Sequence, residues 1–154
     1  MARRRVVITG LGAVSSLGMD LASNWDAMLR GDSGAGLITR FDTSKHSCKF
    51  ACDVWGWDTE KYFPKIESKK LDKFTMYYLV AAAEAMAASG LDMSKEDRTM
   101  SGCILGTGIG GIHEIEASKV LQIERGADRV SPFFIPKIMA NAMAGQTAIR
   151  FGLQ

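Results

Sequence analysis

The chain has 154 residues, 47% of them apolar and 23% charged, the balance of a globular protein with enough apolar side chains for a core. The formal net charge is only +2, from 19 basic and 17 acidic residues, so nucleic acid is not a partner to expect and an acidic partner would need a local basic cluster. No apolar run is long enough to span a bilayer, and the basic start at residues 2–5 leads into too short an apolar stretch for a secretory signal; a cytoplasmic protein without membrane contact is expected.

In chain order, Arg5-Val6-Val7-Ile8-Thr9 is a β-branched run closed by Gly10 and Gly12, the pattern of a strand buried on both faces and ended by a tight turn. Asp20 is placed to cap a helix whose apolar positions Leu21, Trp25, Met28 and Leu29 recur at helical spacing, with Gly31 at its left-handed end. From Asp32 to Pro64 periodicity fades into loop, with one small hairpin and a short strand at 50–54. Lys69 to Ser89 reads as a long helix. Between Phe74 and Ala88 its plainly polar side chains are Thr75 and Glu84, so most of its surface should be covered.

Gly90 ends that helix and residues 91–98 make a surface connection. Gly102-Cys103-Ile104-Leu105-Gly106 is a second buried strand, leading into Gly108, Gly110 and Gly111. A helix over 112–124 follows, then an apolar loop held by two prolines at Ser131-Pro132-Phe133-Phe134-Ile135-Pro136, then a last helix over 137–151 rich in small residues. Two strands serving four helices amount to part of a layered sheet, so further strands are expected to roof it.

Several motifs invite chemistry. Gly106-Thr107-Gly108-Ile109-Gly110-Gly111 satisfies the glycine spacing of a dinucleotide loop, but no apolar strand ending in an acid follows at the required distance. Glycines that let a strand and a helix pack closely explain it as well. The three cysteines, Cys48, Cys52 and Cys103, are odd in number and lack CxxC spacing, which argues against a disulfide framework or zinc site and fits a reducing compartment. Cys103 reads as a buried thiol, Cys48 and Cys52 lie in a polar loop without an activating partner, and His46 and His113 stand alone. Lys65, Lys69 and Lys70 place three cations at the N-terminal side of the apolar helix, where the dipole disfavours them and favours an incoming anion.

Five blocks taken together carry a resemblance: Arg4 to Gly12, Phe41-Asp42-Thr43-Ser44, Gly106 to Gly111, Ser131 to Pro136, and Asn141-Ala142-Met143-Ala144-Gly145. In this order they resemble the N-terminal part of the β-ketoacyl-(acyl-carrier-protein) synthase II family, over essentially the whole chain. The resemblance implies an α/β, thiolase-like layered fold, of which residues 1–154 would hold the first half: an incomplete mixed sheet covered by helices. It implies acyl-chain elongation by decarboxylative Claisen condensation with malonyl-carrier protein, with the nucleophilic cysteine beyond Gln154 and the histidines later still. On that reading no catalytic residue lies here, and these residues alone would be inactive.

The resemblance further implies supporting roles. Ile109 matches the side chain lining the acyl tunnel, Phe134 and Ile135 match positions that cross a homodimer interface and close the partner's tunnel, and Lys65, Lys69 and Lys70 match the docking patch for the acyl carrier protein. Ile66 stands where a basic residue is often found. No metal or organic cofactor is implied beyond the phosphopantetheine that arrives on the carrier. Two other readings stay open: a catalytically inactive, chain-length-factor-like partner of the same fold, and a Rossmann-type nucleotide-binding domain using Gly106 to Gly111.

Overall fold

The computed structural model describes residues 5–153; the basic start at residues 2–4 and the terminal Gln154 lie outside them. The chain folds as two units, one of residues up to Asp58 with Val80–Gly90, the other of Thr59–Leu79 with the residues from Leu91 onward.

In the first unit, helix α1 spans Leu21–Arg30. Asp20 accepts the Ser23 N–H at 2.7 Å, and Gly31 closes the helix at φ 73°, the left-handed turn that only glycine adopts without strain. Strands β1 (Gly36–Leu37) and β2 (Phe50–Ala51) pair antiparallel, Gly36 opposite Ala51. Trp55 donates its indole N–H to Gly34 O at 2.8 Å and fixes the foot of this hairpin. The residues around Gly10 and Gly12 lie against the C-terminal half of helix α4 (Lys73–Ser89). A Cβ on Gly10 would sit 2.1 Å from Ala85 O, and one on Gly12 2.0 Å from Ala81 O. These glycines are therefore points where backbone meets helix, and not the tight turn expected of them.

In the second unit, helices α2 (Thr59–Tyr62) and α3 (Lys65–Ser68) precede α4, and α5 (Ile112–Arg125), α6 (Phe134–Ile138) and α7 (Ala142–Phe151) follow. Short 3₁₀ turns occupy Arg98–Met100 and Ala127–Arg129. The core of this unit is built from Phe63, Leu71, Met76, Leu79 and Met143.

The sheet departs from expectation. Neither residues 5–9 nor 102–106 form a strand; among the described residues the only sheet is the two-stranded β1–β2 pair. A strand persists only where its N–H and C=O groups find a neighbouring strand, and neither segment has one here. Val6 is 94% exposed and Ile104 99%, so these two apolar side chains of runs that read as buried lie open, while Cys103 and Leu105 are half-buried. The described residues are therefore mostly helical, with little sheet, and not the layered α/β arrangement expected.

Two helix boundaries also differ. The long helix expected from Lys69 begins at Lys73, because Asp72 caps it: its carboxylate accepts the Phe74 N–H at 3.2 Å and its carbonyl the Met76 N–H. The last helix, expected over 137–151, is divided into α6 and α7. Met139 takes an extended ψ of 128°, and the Ile138 carbonyl is turned to the Gly111 N–H at 3.4 Å instead of continuing the helical ladder. Helix α4 is half-buried along most of its length rather than enclosed.

Candidate functional site

Of the candidate residues, Phe134 and Ile135 lie on α6, and Lys70 and the loop of Ile109 approach it. Phe133 is its N-cap: Ser131 Oγ accepts the Phe133 N–H at 3.1 Å, and Ser131 O accepts the Phe134 N–H at 2.9 Å. Phe134 and Ile135 therefore stand in the first turn of a short helix, not in the proline-held loop expected. Pro136 is tolerated because a first-turn N–H has no intrahelical partner to lose. Phe134 is half-buried and lines a groove of about 350 Å³ with Ile115, Ser118, Gln122 and Val130, while Ile135 is 56% exposed.

Ile109 is 68% exposed, and its loop touches α6 through the glycines beside it. Gly110 takes φ 72°, and a Cβ there would be 2.8 Å from Ile138 O; one on Gly111 would be 2.7 Å from Lys137 O. Gly106 and Gly108 meet nothing within 4 Å. The glycines that matter for packing are thus the last two, which seat the Ile109 loop on the end of α6. A part-buried ion pair, Lys137 Nζ to Glu114 Oε2 at 3.1 Å, ties α6 to α5 beside this seat.

The three lysines are exposed, but not at the start of the long helix. Lys65 opens α3, Lys69 is its C-cap and Lys70 follows. Lys69 and Lys70 therefore precede α4 by three to four residues instead of standing in its first turn. Lys70 Nζ lies 5.5 Å from the centre of the Phe133 ring. Arg150, from α7, meets Glu67 of α3 at 3.2 Å and covers the Phe63 ring at 5.3 Å.

Among the described residues, no group of acids, histidines and cysteines could hold a metal ion, and no helix is long and apolar enough to cross a membrane. Cys103 is half-buried with its Sγ 3.6 Å from the Tyr78 hydroxyl. Burial first, then the Cys103 contact, pushes the Tyr78 phenol up to about 12, so it stays a neutral hydroxyl and offers the thiol no base. His46 packs edge-on against Phe41 with ring centres 5.4 Å apart, and His113 is exposed on α5. Cys48 and Cys52 are exposed.

The family profile described as "Beta-ketoacyl synthase, N-terminal domain" matches residues 3–154. The chain belongs to the β-ketoacyl synthase family. It is 41% identical over 154 residues to 3-oxoacyl-(acyl-carrier-protein) synthase 2 of Vibrio cholerae, covering 100% of this chain and 37% of that protein. The Synechocystis protein of the same name is 35% identical over 152 residues, covering 99% of this chain and 36% of its own length. The chain therefore spans little more than a third of these relatives.

Among solved structures, "The ishigamide ketosynthase/chain length factor" superposes with a TM-score of 0.86 at 27% identity, covering 99% of this chain and 38% of that one. A ketosynthase described as in complex with its type II polyketide acyl-carrier protein superposes at 0.74 and 25% identity, over 98% of this chain and 40% of that one. The β-ketoacyl synthase chain thus keeps the ketosynthase path although its two apolar segments are unpaired. A dinucleotide loop follows a strand and opens a helix, and residues 102–106 before this glycine loop form no strand.

Sequence reasoning missed Phe133, whose neighbours Phe134 and Ile135 drew attention, and the Lys137–Glu114 pair, whose members are 23 residues apart. The signal for Glu84 was present, since it is the one carboxylate in an apolar helix. It accepts the N–H groups of Ala13 at 3.0 Å and Leu21 at 2.8 Å.

Proposed function

We propose that these residues form the N-terminal part of an elongating 3-oxoacyl-(acyl-carrier-protein) synthase, supplying acyl-tunnel walls and a carrier docking surface while the nucleophile comes from elsewhere in the subunit. The reaction is a decarboxylative Claisen condensation. A cysteine thiolate takes the acyl group from its carrier thioester; malonyl-carrier protein then loses carbon dioxide, and the carbanion attacks the acyl thioester and expels the thiolate. In this scheme Ile109 lines the acyl tunnel, Phe134 and Ile135 face the partner subunit of a homodimer, and Lys65, Lys69 and Lys70 meet the acidic carrier.

The observation that carries this reading is the family match over residues 3–154, together with relatives named as synthases of this type. The geometry supports the supporting role: the Ile109 loop and the helix bearing Phe134 and Ile135 are joined by backbone at Gly110 and Gly111. The test is a condensation assay on the full-length subunit with acyl- and malonyl-carrier proteins. Release of carbon dioxide matched by 3-oxoacyl product supports the reading; carbon dioxide release without product, or neither, contradicts it.

One observation favours a second reading, an inactive partner subunit: the ketosynthase/chain length factor assembly is among the similar structures. Intact mass separates the two. An enzyme gains an acyl group in thioester linkage when given acyl-carrier protein, whereas a chain-length partner gains none.

A further inference from the structure

Lys70 faces two demands. It is an exposed cation in the surface proposed to receive an acidic carrier, and its ammonium lies 5.5 Å from the centre of the Phe133 ring, within the range of a cation–π contact. Phe133 is the N-cap of α6: its N–H donates to Ser131 Oγ, and its carbonyl accepts the Lys137 N–H at 3.1 Å. Displacing Phe133 therefore disturbs the turn that holds Phe134 and Ile135. At its other end α6 bears the Gly110–Gly111 seat of the Ile109 loop. A continuous series of contacts runs from Lys70 through Phe133 and α6 to Gly110 and Gly111 beside Ile109.

We infer that Lys70 couples carrier docking to the acyl-facing residues: an anion on the carrier draws the ammonium off the Phe133 ring, and the first turn of α6 loosens as docking occurs. The direction follows from relative strengths. Once the carrier covers the site, a charge-assisted hydrogen bond from the ammonium to a carboxylate or phosphate is shielded from water and outweighs a cation–π contact formed at an exposed site, so where the two compete the ring loses. Lys65 and Lys69 have no such ring contact among the described residues, which makes Lys70 the positioning residue of the three. Helix α3, which precedes Lys70, is tied to α7 by the Glu67–Arg150 pair. The inference rests on the carrier-docking reading above.

The experiment uses the full-length subunit with a holo acyl carrier protein in excess, read by amide hydrogen exchange at Phe133, Phe134, Lys137 and Met139, and by carrier affinity. In the unaltered protein carrier should speed exchange at these amides. Lys70→Met, saturated with carrier through Lys65 and Lys69, should show no acceleration. Phe133→Leu, which leaves all three lysines in place, should bind carrier about 2- to 5-fold more tightly because the competing contact is gone.

Unchanged or slowed exchange in the unaltered protein, an equal acceleration in Lys70→Met, or unchanged or weakened carrier binding in Phe133→Leu would overturn the coupling. Lys65→Glu and Lys69→Glu serve as controls. If they weaken carrier binding while the coupling fails, only this inference falls; if they leave binding intact, the docking surface itself is wrong and the inference falls with it.

Discussion

Glu84 Oε1 accepts the backbone N–H of Leu21 at 2.8 Å, so the first residue of α1 is capped by a carboxylate from α4. The same side chain holds the Ala13 N–H through Oε2. Together with Asp20 on the Ser23 N–H, two carboxylates serve the positive end of one helix, where orphan N–H groups and the dipole both favour negative charge. This explains a carboxylate in an otherwise apolar helix.

Glu84→Ala should therefore destabilise by roughly 1–3 kcal/mol, since two backbone donors lose their acceptor. Asp20→Ala should cost about 1 kcal/mol. Because both act on one helix end, the double variant should not cost the sum. Denaturant unfolding of the three variants measures this; additive losses would show that the caps are independent.

The glycines should differ sharply in tolerance. Gly12→Ala places a Cβ 2.0 Å from the Ala81 carbonyl, a backbone clash that should cost at least the ~1–3 kcal/mol of ordinary overpacking. Gly108→Ala meets nothing within 4 Å and should be close to neutral. Melting temperatures of Gly108→Ala and of Gly111→Ala, whose Cβ would lie 2.7 Å from the Lys137 carbonyl, test whether packing or nucleotide binding explains the loop; stabilisation by NAD or ATP that Gly108→Ala abolishes would favour the nucleotide.

How far these features were legible depends on how locally they are determined. The α1 boundaries followed from Asp20 and Gly31, because capping is decided within one turn. The strands at Val6–Ile8 and Ile104 were readable as apolar β-branched runs, but a strand exists only through its neighbour, and none pairs with them here. The division of the last helix was not readable, since it depends on Gly111, far earlier in the chain, taking the Ile138 carbonyl. For the site, the glycine cluster and the lysines stood out by type, whereas the Lys70–Phe133 contact joins segments that no periodicity connects.

Tyr78 gives a pH signature. Its phenol is raised to about 12 by burial and the Cys103 contact, above the value near 10 expected when unfolded. The unfolded chain therefore loses this proton first, so the contribution to stability is full below about pH 10 and is lost as pH rises toward 12. Tyr78→Phe should flatten that alkaline loss, measured by unfolding at stepped pH. An unchanged profile would show that Tyr78 is not the responsible group.

Reversing the charges proposed to dock the carrier should weaken its binding in proportion to their exposure. Each of Lys65→Glu and Lys69→Glu should cost at least the 2- to 5-fold of an exposed ion pair, and the loss should shrink as salt rises. Titration calorimetry at two ionic strengths checks both. Equal affinity at both would place the carrier elsewhere.

The central claim is that the thiols of this chain do no bond chemistry. Intact mass of the full-length subunit carrying Cys48→Ala, Cys52→Ala and Cys103→Ala together, after incubation with acyl-carrier protein, tests it most directly. The account predicts that the folded triple variant still gains one acyl group in thioester linkage. A folded triple variant that gains none, beside an unaltered subunit that gains one, would contradict it.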